Sequence, residues 1–258
     1  MQMQVLKQHK YIVLIVILLV AITLVSLFII QYPSKPSLTP TPSPSATLAS
    51  PTPSQTSTPT PTPSSTLYLG EVTQYQGQGL APISLYIEEV IQHPDVSIHG
   101  TQNLNQSTYR LAVSGLVNQP ESYTYEDVVN GFQSYQQVST LLCVEGWGVR
   151  MLWQGVRVSD LIQKAGVSPN ATTLIFSASD GYTTAVPLDY INQNNIILAY
   201  KMNNVTLPAV AGWPFMLIAQ NQYGYKWIKW ITGIEVSNNS GYLGYWESRG
   251  YPNNATIS

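Results

Sequence analysis

The chain has 258 residues, 44% of them hydrophobic, with 11 basic against 13 acidic side chains and a single cysteine. A net charge of -2 and a charged fraction of 9% argue against nucleic acid or another polyanion as partner, since no Lys/Arg cluster exists to meet one. One cysteine rules out an internal disulfide framework, and three histidines without metal-ligand spacing do not build a zinc site.

From the amino terminus, Tyr11 to Ile30 is an uncharged run with only Thr23 and Ser26 as weakly polar members. Such a run can cross a ~30 Å hydrocarbon core as a helix. Lys7, His9 and Lys10 precede it, so the positive-inside bias predicts a cytoplasmic tail over 1–10, a transmembrane anchor over 11–30 and the remainder outside the cytoplasm. The run is longer than the about 7–15 residues of a signal-peptide core, and no small-x-small cleavage site follows it, which favours retention as a single-pass membrane anchor. Residues 31–66 are almost entirely Pro, Ser and Thr, a composition that cannot offset the entropy of ordering, and they predict an extended linker. Asn105, Asn170, Asn204, Asn238 and Asn254 each begin an Asn-x-Ser/Thr sequon, in keeping with an extracytoplasmic glycoprotein.

Residues 67–258 are enough for one globular domain with a substantial core. Tyr109, Leu111 and Val113 alternate with polar or small residues and predict a half-buried strand ending at Gly115. Thr124 is placed to cap a short helix, with Glu126 and Asp127 in its first turn and Gly131 at its exit. Gln137 to Val144 predicts an apolar strand with Cys143 near its end, and Ser159 begins a helix that Gly166 stops. Thr173 to Ala178 predicts a buried strand. Ile196–Tyr200 and Val205–Leu207 flank Asn203-Asn204, a pair that tolerates positive φ and suits a tight hairpin. Pro214–Ala219 and Trp227–Val236 complete the strands. Helices this few and short predict a mixed α+β, strand-dominated fold.

Cys143 stands out. An unpaired thiol in an exported chain calls for a metal, a partner or burial, and burial as a small hydrophobe is the plain alternative. The segment Leu142-Cys-Val-Glu-Gly-Trp147, followed by Trp153-x-Gly-Val156, Asp160-Leu-Ile162 and Ala165-Gly166, resembles the molybdopterin-binding domain of the sulfite oxidase family, which includes the periplasmic methionine-sulfoxide reductases. The resemblance continues in order through Val113-x-Gly-Leu-Val117 with Pro120 before it, and Asp180-Gly-Tyr182, Pro187-Leu188, Leu198-Ala-Tyr200, Met202-Asn203, Leu207 and Gly212-x-Pro214 after it. Gly224-Tyr-Lys-Trp-Ile-Lys-Trp230 and Tyr245-Trp-Glu-Ser-Arg-Gly-Tyr251 close it.

The resemblance implies a sulfite-oxidase-type molybdopterin-binding domain over 67–258 and a molybdopterin-type molybdenum cofactor. Cys143 would be the metal ligand and a catalytic residue. The chemistry implied is oxygen-atom transfer to or from a small substrate such as a sulfur oxyanion or sulfoxide, with a separate haem or quinone-linked electron partner. Lys226, Trp227, Ile228 and Lys229 match the segment that grips the pterin phosphate, and His99 and Gln102 fall at an early polar contact. Tyr242, with Tyr245 as alternate, corresponds to a tyrosine beside the metal, and Arg150 stands where it could meet an anionic substrate. The pattern departs at Ala211 and Met216, where the reductases carry Asn and Arg on the cofactor tail, and in the lack of an Arg-Arg pair before the anchor. The competing class is a cofactor-free cell-surface binding module that uses the same scaffold and its aromatic, neutral surface.

Overall fold

A computed structural model describes residues 67–94 and 97–257. The expected cytoplasmic tail, anchor and linker over 1–66 lie outside the described residues. Among the described residues no helix is long and apolar enough to cross a membrane.

The domain opens with a two-stranded hairpin, β1 (Gln74–Tyr75) and β2 (Gln78–Gly79), followed by helix α1 (Ile83–Gln92). Ile83, Tyr86 and Val90 form the buried face of α1 at the three-and-four spacing of a helix packed on a core. Its first turn follows Pro82, and the free Ile83 N–H donates to the Glu71 carboxylate at 2.7 Å, so a remote side chain does the work of an N-cap.

Two five-stranded sheets follow. The first has β5 (Ser134–Leu142), β6 (Gly148–Arg157), β9 (Ile197–Met202) and β10 (Val205–Thr206) side by side, with β11 (Met216–Ile218) on the remaining length of β9; every pairing in it is antiparallel. The second runs β4 (Glu121–Tyr123), β3 (Leu111–Gly115), β12 (Ile231–Ser237), β7 (Thr173–Ala178) and β8 (Thr183–Pro187), parallel only between β3 and β12. Short helices α2 (Tyr125–Gly131), α3 (Val158–Lys164) and α4 (Leu188–Gln193) join them. A single apolar cluster that includes Trp153, Phe176, Phe215 and Ile234 links the faces. The fold is the strand-dominated α+β arrangement expected.

Several local expectations hold in detail. Thr124 Oγ1 accepts from the Asp127 N–H while the Asp127 carboxylate accepts from the Thr124 N–H, a complete capping box on α2. Asn203 and Asn204 both take positive φ between β9 and β10. Asn203 is fully buried, and its side chain accepts from Leu152 N–H and donates to the Ala81 carbonyl, tying the opening hairpin segment to the first sheet. All five sequon asparagines are exposed.

Others are corrected. The strand expected over Gln137–Val144 ends at Leu142, so Cys143 lies one residue past it, in the turn to β6. The strand expected to begin at Trp227 begins at Ile231. Residues Gly224–Lys226 form a 3-10 turn instead, and Trp230 takes φ +51°. That break turns the Trp227–Lys229 segment toward the site.

Candidate active site

The β5–β6 hairpin is pinned by nine consecutive residue pairs, from Ser134 opposite Val156 to Leu142 opposite Gly148. Its turn is closed by Cys143 N–H donating to the Trp147 carbonyl and by Gly146 N–H donating to the Cys143 carbonyl, at 2.8 and 3.1 Å. Gly146 sits at φ +94°, a conformation that costs a residue with a Cβ. A two-stranded ladder and a closed turn thus fix the direction of the cysteine side chain. Cys143 is half-buried and opens into a cleft whose empty space, mouth included, is about 820 Å³.

Several separate regions wall the cleft. Tyr86 and Val90 come from α1, and Cys143, Glu145 and Trp147 from the hairpin turn. Asp180 and Tyr182 come from the β7–β8 turn, and Trp227, Ile228 and Lys229 from the segment before β12. Trp246 and Tyr251 add aromatic faces from the C-terminal stretch. Burial pushes the Cys143 thiol up to about 11, with the neighbouring Glu145 carboxylate, whose Oε2 lies 3.6 Å from Sγ, acting the same way. A thiol so disposed stays protonated near neutral pH unless a metal takes its proton. Among the described residues no three His, Cys, Asp or Glu side chains converge as a metal site. One protein thiolate suits a metal whose other donors come from an organic ligand.

Lys229 supplies the second half of the fit. It is 7% exposed and lines the cleft, its Nζ has no hydrogen-bond partner, and burial lowers its pKa to about 8 while Asp180 opposes that shift. Its ammonium stacks 4.4 Å over the Trp230 ring. Gly212, at φ +108°, lets the backbone come close, since a Cβ there would lie 2.9 Å from the Lys229 Cβ. A buried cation without a partner is costly unless an anion completes it. A phosphate-bearing cofactor held by the Cys143 sulfur supplies that anion, so the residues present fit the group.

The cleft therefore brings together Cys143, Trp227, Ile228 and Lys229. Lys226 is elsewhere: its Nζ is fully buried, 2.5 Å from Glu247 Oε1, and also donates to the Ala185 carbonyl and Asn253 Oδ1. With every donor taken it is a structural ion pair, which corrects its assignment as a cofactor contact. Tyr242 does not line the cleft; its hydroxyl is 3.0 Å from Thr183 Oγ1. Tyr245 also stays out of the lining and has Arg249 stacked on its ring at 3.6 Å. His99 is exposed and Gln102 donates to the His99 and Gly100 carbonyls, so neither reaches the cleft. Their loop is nonetheless tied to it, because Asp180 accepts from the Ile98 N–H at 3.0 Å. Arg150 is exposed beside Thr140 and is also outside the lining.

Tyr86, Trp147, Asp180 and Tyr182 are lining residues that sequence reasoning did not select. A signal existed for Tyr86 in the Ile83, Tyr86, Ile87, Val90 spacing, and for the others in their place within the matched motifs. Met216, where the resemblance leads one to expect Arg, lines the cleft and accepts from the Tyr86 hydroxyl at 3.8 Å. Ala211 is fully buried. Among the described residues Lys229 is thus the only basic side chain in the lining.

Comparison with known proteins agrees with this geometry. The family model described as the oxidoreductase molybdopterin binding domain matches residues 98–246. The uncharacterized oxidoreductase YuiH of Bacillus subtilis is 32% identical over 72% of this chain and 92% of its own length. A candidate protein-methionine-sulfoxide reductase subunit of Azospira oryzae is 30% identical over 67% of this chain and 66% of its own. Among solved structures, the sulfane dehydrogenase SoxCD of Paracoccus pantotrophus superposes with a TM-score of 0.52 at 24% identity, covering 54% of this chain and 40% of that one. That likeness is one of fold.

Proposed function

The chain belongs to the oxidoreductase molybdopterin binding family, a molybdopterin-dependent enzyme family, and from that premise we propose that it transfers an oxygen atom to or from a small substrate such as a sulfur oxyanion or sulfoxide. We also place it on the membrane by residues 11–30, with the domain held outside the cytoplasm on the 31–66 linker and served by a separate haem or quinone-linked electron partner. The observation that carries the catalytic reading is one cleft holding both a directed cysteine sulfur and an unpartnered, buried ammonium.

When bound, the cofactor supplies a metal centre that exchanges two electrons with substrate. Cys143 would hold the metal through its thiolate, fixed by the hairpin. Lys229 would hold the phosphate, with its stem packed against Gly212 and its charge over Trp230. Tyr86, Trp227 and Ile228, all buried, form an apolar wall that keeps water from the bound ring system and strengthens the electrostatic contacts inside. Trp147, Trp246 and Tyr251 shape the opening by which substrate enters.

The test is purification of the full chain from a host that makes molybdopterin, with metal and pterin measured per chain. About one of each is expected, and Cys143→Ser should lose molybdenum. A wild-type chain that takes up neither would overturn the assignment.

A further inference from the structure

Glu145 stands two residues beyond Cys143, lines the same cleft and is exposed. The charged side chains of the lining are Glu145, Asp180 and Lys229. Lys229 is buried and assigned to phosphate, while Asp180 is buried and already accepts the Ile98 and Tyr182 N–H groups. Glu145 is therefore the one charge in the lining that incoming solute meets first. His93 is stacked on Trp147 and bonded to the Glu89 carbonyl, Arg249 lies on Tyr245, and neither is in the lining. Apart from Cys143, the rest of the lining is apolar or aromatic, and Val144 in it is exposed.

We propose that Glu145 is a specificity-determining residue that makes the cleft refuse oxyanions and accept neutral S-oxides or N-oxides, favouring those with a cationic substituent. This rests on Cys143 holding the metal in this cleft. A solute at a metal on Sγ lies within Coulombic reach of the carboxylate, since Glu145 Oε2 is 3.6 Å from that sulfur and lines the same cleft. At ~6 Å and an effective dielectric between protein surface and water, one unit charge changes encounter and binding by about tenfold at low ionic strength. In the reaction a dialkyl sulfoxide takes up two protons and two electrons and yields the dialkyl sulfide and one water. The S–O bond breaks, sulfur is reduced, the oxygen leaves as water, the protons come from solvent, and the electrons come from a reduced viologen dye in the assay or a quinol or haem donor in the cell.

The experiment uses the molybdenum-loaded full chain and three alkyl sulfoxides that differ only in bearing a trimethylammonium, a hydroxyl or a sulfonate group. The same dye serves all three, so its own charge cancels in the ratios. The cationic compound should exceed the anionic one in kcat/KM by roughly ten- to hundredfold at low salt, and by much less at about 0.5 M salt. Glu145→Gln should bring the ratio within about threefold, and Glu145→Lys should invert it. The matching sulfones, which are not reduced, should bind by calorimetry with the preference that kcat/KM shows in each protein: cationic tightest in wild type, nearly equal in Glu145→Gln and inverted in Glu145→Lys. Equal handling of the three sulfoxides by wild type, a ratio unmoved by either variant, or reduction of none of them by a metal-loaded chain would overturn charge selection alone. A chain without molybdenum overturns both this and the proposed function.

Discussion

Replacing Lys229 by Met tests whether the cleft is built for an anion it must receive. A fall of the ammonium from 10.5 to about 8 corresponds to about 3 kcal/mol for carrying its charge in the folded, cofactor-free chain. Stacking over Trp230 offsets about 0.5–2 kcal/mol of that, so Lys229→Met, which keeps length and apolar contact, should stabilise the cofactor-free protein by about 1–3 kcal/mol. For a domain of this size that is a rise in Tm of roughly 2–10 °C. The pH dependence has a definite sign. Between about 8 and 10.5 the unfolded chain binds the lysine proton more tightly than the folded one, so wild-type stability rises with pH across that window. The advantage of the variant is full below about pH 8 and vanishes near pH 10.5. With cofactor the effect reverses: losing the partner of a buried phosphate should weaken retention by at least about 2 kcal/mol, some thirtyfold. Urea melts of cofactor-free protein at pH 7 and 10, paired with cofactor retention after gel filtration, read both halves. A variant that is less stable at pH 7 without cofactor, or whose difference from wild type ignores pH, refutes the reasoning.

Three further outcomes separate the roles assigned to neighbouring residues. Cys143→Ser should abolish molybdenum content and turnover together while shifting unfolding of the cofactor-free chain by less than about 1 kcal/mol, since the half-buried thiol has only Glu145 as a polar side-chain partner; metal analysis and urea melts check it. Lys226→Met should cost about 3–5 kcal/mol in stability by leaving Glu247 charged and buried, and Lys226→Met with Glu247→Leu should recover most of it in the same melts. Tyr242→Phe removes one hydrogen bond to Thr183, so it should cost about 0.5–1.5 kcal/mol in stability and change kcat/KM less than about threefold. A hundredfold loss of turnover there would restore Tyr242 to the metal.

What could be read from the sequence was local. The capping box at Thr124 needs only residues three apart, and the Asn203-Asn204 turn needs only two adjacent residues able to take positive φ. The cysteine was found because its neighbourhood is a contiguous motif. The strand β6 escaped because only Gly148 to Met151 alternates; from Met151 through Trp153 every residue is buried, and a stretch covered on both faces shows no alternation to read. Helix α1 carried its periodic signal, yet its N-terminal partner, Glu71, is twelve residues back, outside the reach of any capping pattern.

Lys226 and Lys229 show where local reading stops. In sequence they are two lysines three apart among aromatics, and both are buried in the fold. Their difference lies in what each meets. Glu247, twenty-one residues further on, converges on Lys226 with the Ala185 carbonyl and Asn253 Oδ1, and no donor is left for a ligand. Lys229 meets the face of Trp230 and the cleft, with Asp180 near enough to favour its charge but no hydrogen-bond partner on Nζ. An ion pair completed within the chain contributes to the fold, whereas a buried ammonium left unpartnered lowers stability until an anion arrives. The cost of that open valence in the cofactor-free chain is what makes binding selective for a phosphate-bearing ligand: an uncharged ring of the same shape would fill the apolar wall and still leave the lysine unsatisfied.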